Sequence, residues 1–412
     1  RVVVGCYLDD ADAVNTGIAY VYDLAGSSPT TPLHTLRNPA PAAGDQYGFS
    51  VAISGQRVAV SANLDDAGAT NAGAVYIYNL AGVNPTLPYL TLNNPNPVLN
   101  DQFGQSIGLD GRHLLVGVPM KDAGGVSNIG AVVLFDLDSS QPATPMATVL
   151  NPHPATSDSF GSAVAIHGTR FVVGTALDDA TGTNSGRAYV YDFASGISTA
   201  TSLVLDNPAP APADNFGHAV GIHGTRVIVG SPYDDTGATN SGRAYVFDVS
   251  ASQPNLPFAT LARTTPVAAD NLGLSIAIHG NWAMAGLPFD DTLAINSGSV
   301  AQYDLSGPSP GTPVRFLLHP SPTTGDQFGG AVAMSGTRFI VGASLDDIGT
   351  LNAGSAYVYD LASPSPDFPI ASLHNPSPMN GDEFGRAVAI AGNWVAVSAQ
   401  FADTAGVNDA GR

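Results

Sequence analysis

Apolar residues in this chain fall in short runs with strand spacing, and the runs recur in a fixed order. The first run alternates small with branched residues, as in Ser50-Val51-Ala52-Ile53, Ala163-Val164-Ala165-Ile166 and Ala387-Val388-Ala389-Ile390. That pattern suits a crowded inner strand. A tight turn follows, Ser54-Gly55-Gln56 or His167-Gly168-Thr169, and reads as a hairpin. The second run is apolar at every position: Val58-Ala59-Val60, Phe171-Val172-Val173, Val227-Ile228-Val229. It predicts a strand buried on both faces, and it ends in Gly230-Ser231-Pro232, Gly286-Leu287-Pro288 or Gly342-Ala343-Ser344. A polar loop such as Leu64 to Gly73 leads to a third run with alternating aromatics, Ala188-Tyr189-Val190-Tyr191-Asp192. A Pro- and Ser-rich loop leads to the fourth, Leu90-Thr91-Leu92 or Ala371-Ser372-Leu373, and Asn38-Pro39-Ala40-Pro41 shows how the unit closes. Prolines beside a strand belong at a sheet edge, so the fourth strand is the outer one. No amphipathic helical period is present.

The unit repeats. An Asp-x-(Phe/Tyr/Leu)-Gly step opens at Asp45, Asp101, Asp158, Asp214, Asp270, Asp326 and Asp382, with spacings of 56, 57, 56, 56, 56 and 56 residues. A fixed period of this size marks a repeat architecture. Four antiparallel strands per unit predict an all-β fold, a β-propeller of four-stranded antiparallel blades. Seven blades fit best, with eight the alternative and a stacked open array a third arrangement. The chain reads as one propeller over residues 1–412, with a partial repeat at 1–44. Residues 394–412 repeat residues 1–19. A seven-blade ring would close by pairing the run at 387–390 with that at 1–5, which leaves the last second strand without a place. The chain begins inside a second strand and stops before a third, so it reads as a window on a longer protein.

Composition narrows the function. Charged residues are only 12%, with 46 Gly and 31 Pro, as expected for many short strands and turns. The net charge of −20, with Lys121 the only lysine, argues against nucleic acid or an anionic membrane as partner. No run of about 18 apolar residues exists, so no direct membrane insertion is expected. The single cysteine, Cys6, forms no internal disulfide.

At the level of motif order, the chain resembles the FG-GAP repeat. The resemblance lies in the Phe-Gly step, the apolar strand, the Gly-Ala-Pro-like step and the Gly-x-Val/Ala-Tyr-Val-Tyr run. Phe103-Gly104, Phe160-Gly161, Phe216-Gly217, Phe328-Gly329 and Phe384-Gly385 carry the step, with Tyr47 and Leu272 replacing Phe in two repeats. The family builds the N-terminal propeller of integrin α subunits and occurs in many bacterial secreted and surface proteins. The resemblance therefore implies a secreted or cell-surface location. In the integrin type, an Asp-x-Asp-x-Asp-Gly calcium loop joins the first two strands. Here that connection is a short turn, such as His223-Gly224-Thr225, so the family's calcium site does not carry over.

The acids stand instead in the loop between second and third strands. Pairs occur at Asp9-Asp10, Asp65-Asp66, Asp178-Asp179, Asp234-Asp235, Asp290-Asp291 and Asp346-Asp347, with half versions at Lys121-Asp122 and Ala402-Asp403. Asn15, Asn71, Asn184, Asn240, Asn296 and Asn352 each follow five residues after the second Asp, with a Gly two further on. Oxygen-rich loops with Gly suit Ca²⁺, which makes these residues candidate metal ligands and calcium the candidate cofactor. The competing reading is that Asp and Asn cap the turns through backbone amides. Lys121 puts an ammonium into one loop and argues against metal there. The Asp before Phe-Gly reads as a loop pin and the Phe as core. Arg187, Arg243 and Arg386 pair with nearby acids. His167, His223 and His279 repeat in the short turn, and equivalent positions in neighbouring blades are expected to lie too far apart for a zinc site.

No catalytic constellation is visible, and near-identical loops argue against an enzyme, which needs one asymmetric site. The leading expectation is a non-catalytic binding or adhesion propeller that recognises a protein or glycan through its acidic loop face. A structural subunit of a surface layer or filament, binding copies of itself, is the alternative. A polysaccharide hydrolase or lyase is the third reading, its asymmetry residing in Lys121 to Asn128 or around Asn271-Leu272-Gly273 and Ala301-Gln302.

Overall fold

The computed structural model describes residues 1–10, 12–23, 31–194, 196 and 203–402. Every regular element among them is a β-strand. Six four-stranded antiparallel sheets and one three-stranded sheet make the seven blades of a β-propeller fold, the strands of each in chain order, and a two-stranded sheet follows them. By compactness the chain divides into two units. One is built on Arg1–Thr175 and includes Val190–Ser202; the other is built on Leu203–Asp403 and includes Ala176–Tyr189.

The first unit opens with the three-stranded sheet Val2–Cys6, Ile18–Tyr22, His34–Arg37. The Asp45 repeat follows as Tyr47–Ser54, Arg57–Ala62, Ala74–Asn79 and Leu90–Asn93, and the Asp101 repeat as Ile107–Asp110, His113–Val118, Ala131–Asp136 and Ala147–Leu150. The second unit carries the Asp214 repeat (Val220–His223, Arg226–Ser231, Arg243–Asp248, Ala259–Leu261). It also carries the Asp270 repeat (Ile276–His279, Trp282–Leu287, Ser299–Asp304, Arg315–Leu318) and the Asp326 repeat (Ala331–Ser335, Arg338–Ala343, Ser355–Asp360, Ala371–His374).

One expected pairing is not made. The strand Phe384–Ala391 takes Trp394–Ala399 as its partner, with Val388 opposite Val397, rather than the run at 1–5. A hairpin joined by two residues is the cheaper contact, because closing a long loop costs chain entropy.

Burial follows the hydrophobic pattern. Second strands such as Arg338–Ala343 and third strands such as Ser355–Asp360 are buried almost throughout, whereas first strands are half-buried. The core lies between neighbouring blades. Met284, Val300 and Leu317 of the Asp270 repeat pack on Phe328, Phe339, Val341, Tyr357 and Tyr359 of the Asp326 repeat. The aromatic of the Asp-x-Phe-Gly step is the wedge: Phe103, Phe160, Phe216 and Phe328 are fully buried, as are the substitutes Tyr47 and Leu272. Burying such a side chain contributes about 2–3 kcal/mol each.

Candidate functional site: the Asp-Asp loops

The two aspartates of each pair have different surroundings. The first is buried and the second exposed in every pair described. The first closes the turn by accepting from the backbone N–H two residues on: Ala67 to Asp65 Oδ1 at 2.8 Å, Thr236 to Asp234 at 2.8 Å, Ile348 to Asp346 at 3.0 Å. Its other oxygen accepts from a third-strand hydroxyl. Tyr76, Tyr245 and Tyr357 each donate at 2.7 Å, and Ser299 donates to Asp290 at 2.6 Å. Burial, with the neighbouring carboxylate, raises these tyrosine pKa values far above the usual range, so the phenols stay donors.

The second aspartate reaches across the loop to the asparagine. The N–H of Asn15, Asn71, Asn128, Asn184, Asn240, Asn296 and Asn352 donates to Asp10, Asp66, Asp122, Asp179, Asp235, Asp291 and Asp347 at 2.6–2.8 Å. All seven asparagines adopt φ of 50–53°, a left-handed conformation that Asn tolerates better than most residues. The glycine two positions on then lies against the next repeat's step. In the second unit, Phe328 N–H donates to Ser297 O at 3.0 Å and Gln327 N–H to Asn296 O at 3.0 Å. Each loop is thus latched to the Phe-Gly step that follows it.

The candidate metal ligands Asp9, Asp10, Asn15 and their equivalents are therefore brought into one loop. The first carboxylate accepts from a backbone N–H and a hydroxyl in repeats such as those of Asp65 and Asp234, and one oxygen of the second accepts from the Asn N–H. Among the described residues no three or more His, Cys, Asp or Glu side chains gather as a metal site. These hydrogen bonds are what the turn-cap reading requires. Asp235→Asn, which keeps an acceptor oxygen, should change stability by less than about 0.5 kcal/mol in urea unfolding, and Asp235→Ala should lose about 1 kcal/mol. A metal ligand would show the opposite order of sensitivity to added Ca²⁺, with Asn already abolishing it.

The sequence reading missed a second buried layer. The aspartate of the Asp-x-Phe-Gly step is pinned, as expected, by the backbone N–H three residues earlier (Ala211 to Asp214 at 2.7 Å, Met379 to Asp382 at 2.8 Å). It is also held by the asparagine of Asn-Pro-x-Pro seven residues before. Asn38, Asn94 and Asn207 donate to Asp45, Asp101 and Asp214 at 2.7, 2.7 and 2.9 Å. The fixed seven-residue spacing was the available signal. Burial, with Asp234 adding to it, pushes the Asp214 pKa up to about 6.

Three repeats vary this layer. Lys121, at the place of the first loop aspartate, puts its ammonium 2.9 Å from Asp101 Oδ2. Arg263, at the place of the asparagine, spans Asp270 at 2.7 Å and Asp290 at 3.0 Å. His319, at that same place, lies 3.1 Å from Asp346. Burial opposes ionisation of Asp346, yet the contact with His319 and the Tyr357 hydroxyl holds its pKa below the usual value. Arg187 and Arg243 stand 3.8 Å from Asp178 and Asp234, and Arg386 pairs with Glu383 at 2.9 Å, as expected.

The histidine expectation needs correcting. His223 and His279, at equivalent places in neighbouring blades, have ring centroids only 4.3 Å apart. Inner strands of adjacent blades converge, so their short turns meet.

Tandem four-stranded units latched loop to step define this molecule as a repeat β-propeller. The family model described as FG-GAP repeat matches residues 37–78, 146–191, 209–247, 318–359 and 370–412, together just over half of the chain. The chain belongs to that family. No curated protein matches the chain.

Proposed function

We propose that this chain is a non-catalytic recognition propeller, secreted or at a cell surface, that binds a protein or glycan on its Asp-Asp loop face. One observation carries the reading: a constant frame with variable tips. The caps and the left-handed asparagine recur in loop after loop, while the residue just before that asparagine is exposed and changes. It is Val14, Thr70, Ser127, Thr183, Thr239, Ile295 and Leu351 in turn. Val14, Ile295 and Leu351 are about 60% exposed, at 62%, 62% and 59%. Rigid loops with differing tips are how scaffolded binding surfaces discriminate partners. FG-GAP propellers are commonly binding or adhesion modules, which supports the same reading.

Calcium is a separable part of this proposal. The exposed second aspartates are the groups a Ca²⁺ ion would take, and it would need six or more oxygens in all. With the carboxylates acting as caps, melts in EDTA and in millimolar CaCl₂ should coincide. An upward shift in Ca²⁺, by mass action on the folded state, would instead make the face cation-organised.

The binding test is a glycan array and an extracellular-protein panel probed with wild type and with an Ile295→Arg, Leu351→Arg variant. The variant should lose at least about tenfold in affinity, which is about 1.4 kcal/mol, with its melt unchanged. Binding untouched by these tips would move recognition off this face. Turnover on a polysaccharide panel would replace recognition with catalysis.

A further inference from the structure

The short turns at the ends of the first strands carry a second blade-to-blade contact. The last residue of the first strand accepts a hydrogen bond from the glycine N–H of the next blade's turn. Gly111 N–H donates to Ser54 Oγ at 2.9 Å, Gly168 N–H to Asp110 Oδ2 at 2.6 Å, and Gly392 N–H to Ser335 Oγ at 2.9 Å. In the Asp214 repeat the acceptor is an imidazole: Gly280 N–H donates to His223 Nδ1 at 3.2 Å. The same clasp is thus closed by a hydroxyl, a carboxylate or a histidine.

These acceptors differ in one chemical respect. A serine oxygen accepts at any ordinary pH, but Nδ1 accepts only while it keeps its lone pair, in the neutral ring protonated at Nε2. We propose that His223 makes the joint between the Asp214 and Asp270 blades acid-sensitive, closed when the imidazole is neutral and opened when it takes a proton. Protonation would set Nδ1–H against Gly280 N–H, donor against donor.

The surroundings hold both cations and acids. Arg226 is the cross-strand partner of His223 and its Nη1 bonds Asn281 Oδ1 of the neighbouring turn at 3.1 Å. The His279 ring stands 4.3 Å away, with Trp282 as its own cross-strand partner. Asp248 and Asp304, opposite Arg226 and Trp282, are the acids of the neighbourhood, and both have pKa values below the usual range. Hydrogen bonds from Ser306 dominate the lowering at Asp304; at Asp248 burial opposes ionisation most, but hydrogen bonds from Ser250 and Thr225 outweigh it, with Arg226 adding to the lowering in both. A positive charge at His223 meets Arg226 and any charge on His279 on one side and the two carboxylates on the other, so the donor-against-donor contact with Gly280 carries the sensitivity.

The sign follows from linkage. A histidine held neutral in the folded state has a folded pKa below the unfolded value of about 6.5. The unfolded chain then binds more protons between the two values, so stability is present above 6.5 and is lost as pH falls through that window.

The experiment uses the whole chain with ¹⁵N-glycine and ¹³C-histidine labels, titrated from pH 8 to 4.5. His223 should titrate below about 6.5, and the Gly280 amide should follow the same midpoint. Gly280 exchange, corrected for its intrinsic rate, should rise at least about tenfold between pH 7 and 5, the effect of one unit. Gly392, clasped by Ser335, should stay flat across the same range. His223→Ser should make Gly280 flat as well, and His223→Gln serves if the serine variant does not fold. A Gly280 amide indifferent to the His223 titration, or a His223 midpoint at or above 6.5, overturns the proposal.

Discussion

Gly298→Ala should cost more than about 4 kcal/mol, enough to leave little folded protein, while Gly280→Ala should cost about 1 kcal/mol. Both glycines have positive φ, +82° and +59°. Each alanine therefore carries the left-handed penalty. The difference is space. A Cβ at 298 would stand 2.1 Å from Phe328 O and 2.6 Å from Phe328 N, whereas one at 280 meets nothing within 4 Å. The obstacle at 298 is backbone of the next repeat, already fixed by the latch between Ser297 O and Phe328 N–H. Relief would require moving the loop off the step, which would also unseat the buried Phe328 wedge. Urea unfolding of the two variants, with soluble yield as the coarse readout, checks the contrast. Equal losses at the two sites would mean that turn conformation, not the loop-to-step approach, is what the glycine serves.

That contrast shows what was readable beforehand. The blade strands were, because burial imposes its period directly on the sequence: in Arg338–Ala343 the run that follows the arginine is buried on both faces. The wedge was too, since Phe, Tyr and Leu alternate at one repeat position and share only bulk and apolarity. What the loop acids do was left between two readings, because a cap and a ligand use the same carboxylate. The residue between Asp and the wedge was legible only where it is Asn215 or Asn271, at φ of 54° and 56°. Gln46, Gln102, Ser159, Gln327 and Glu383 take φ of 53–58°, although none of these types favours it. The latch imposes that conformation from outside the local sequence, which is where tertiary context overrides propensity. The clustering of His223 with His279 was misjudged for a related reason: sequence separation of a full repeat says nothing about how closely inner strands converge.

Arg263→Met should destabilise by about 3 kcal/mol at pH 8, the low end for breaking a buried ion pair, because a fifth of the arginine side chain remains in contact with water. It would leave Asp270 and Asp290, both nearly fully buried, without the guanidinium that now bridges them at 2.7 and 3.0 Å. Arg263→Asn should cost clearly less. It recreates the arrangement of the preceding blade, where Asn207 holds Asp214. The pH dependence separates lost charge from lost packing. Burial, then repulsion from Asp290, already pushes the Asp270 pKa up to about 6 with the arginine present; without it the value moves higher. A carboxyl whose folded pKa lies above its unfolded value binds more protons when folded, so its contribution to stability falls as pH rises through that interval. The methionine variant should therefore recover part of its loss at pH 5, while a packing defect would be the same at both pH values. Urea unfolding of the three proteins at pH 5 and 8 decides it. A methionine deficit independent of pH would mean that the arginine's aliphatic stem and its stacking on Phe316, 5.5 Å from the ring centroid, hold this blade together rather than its charge.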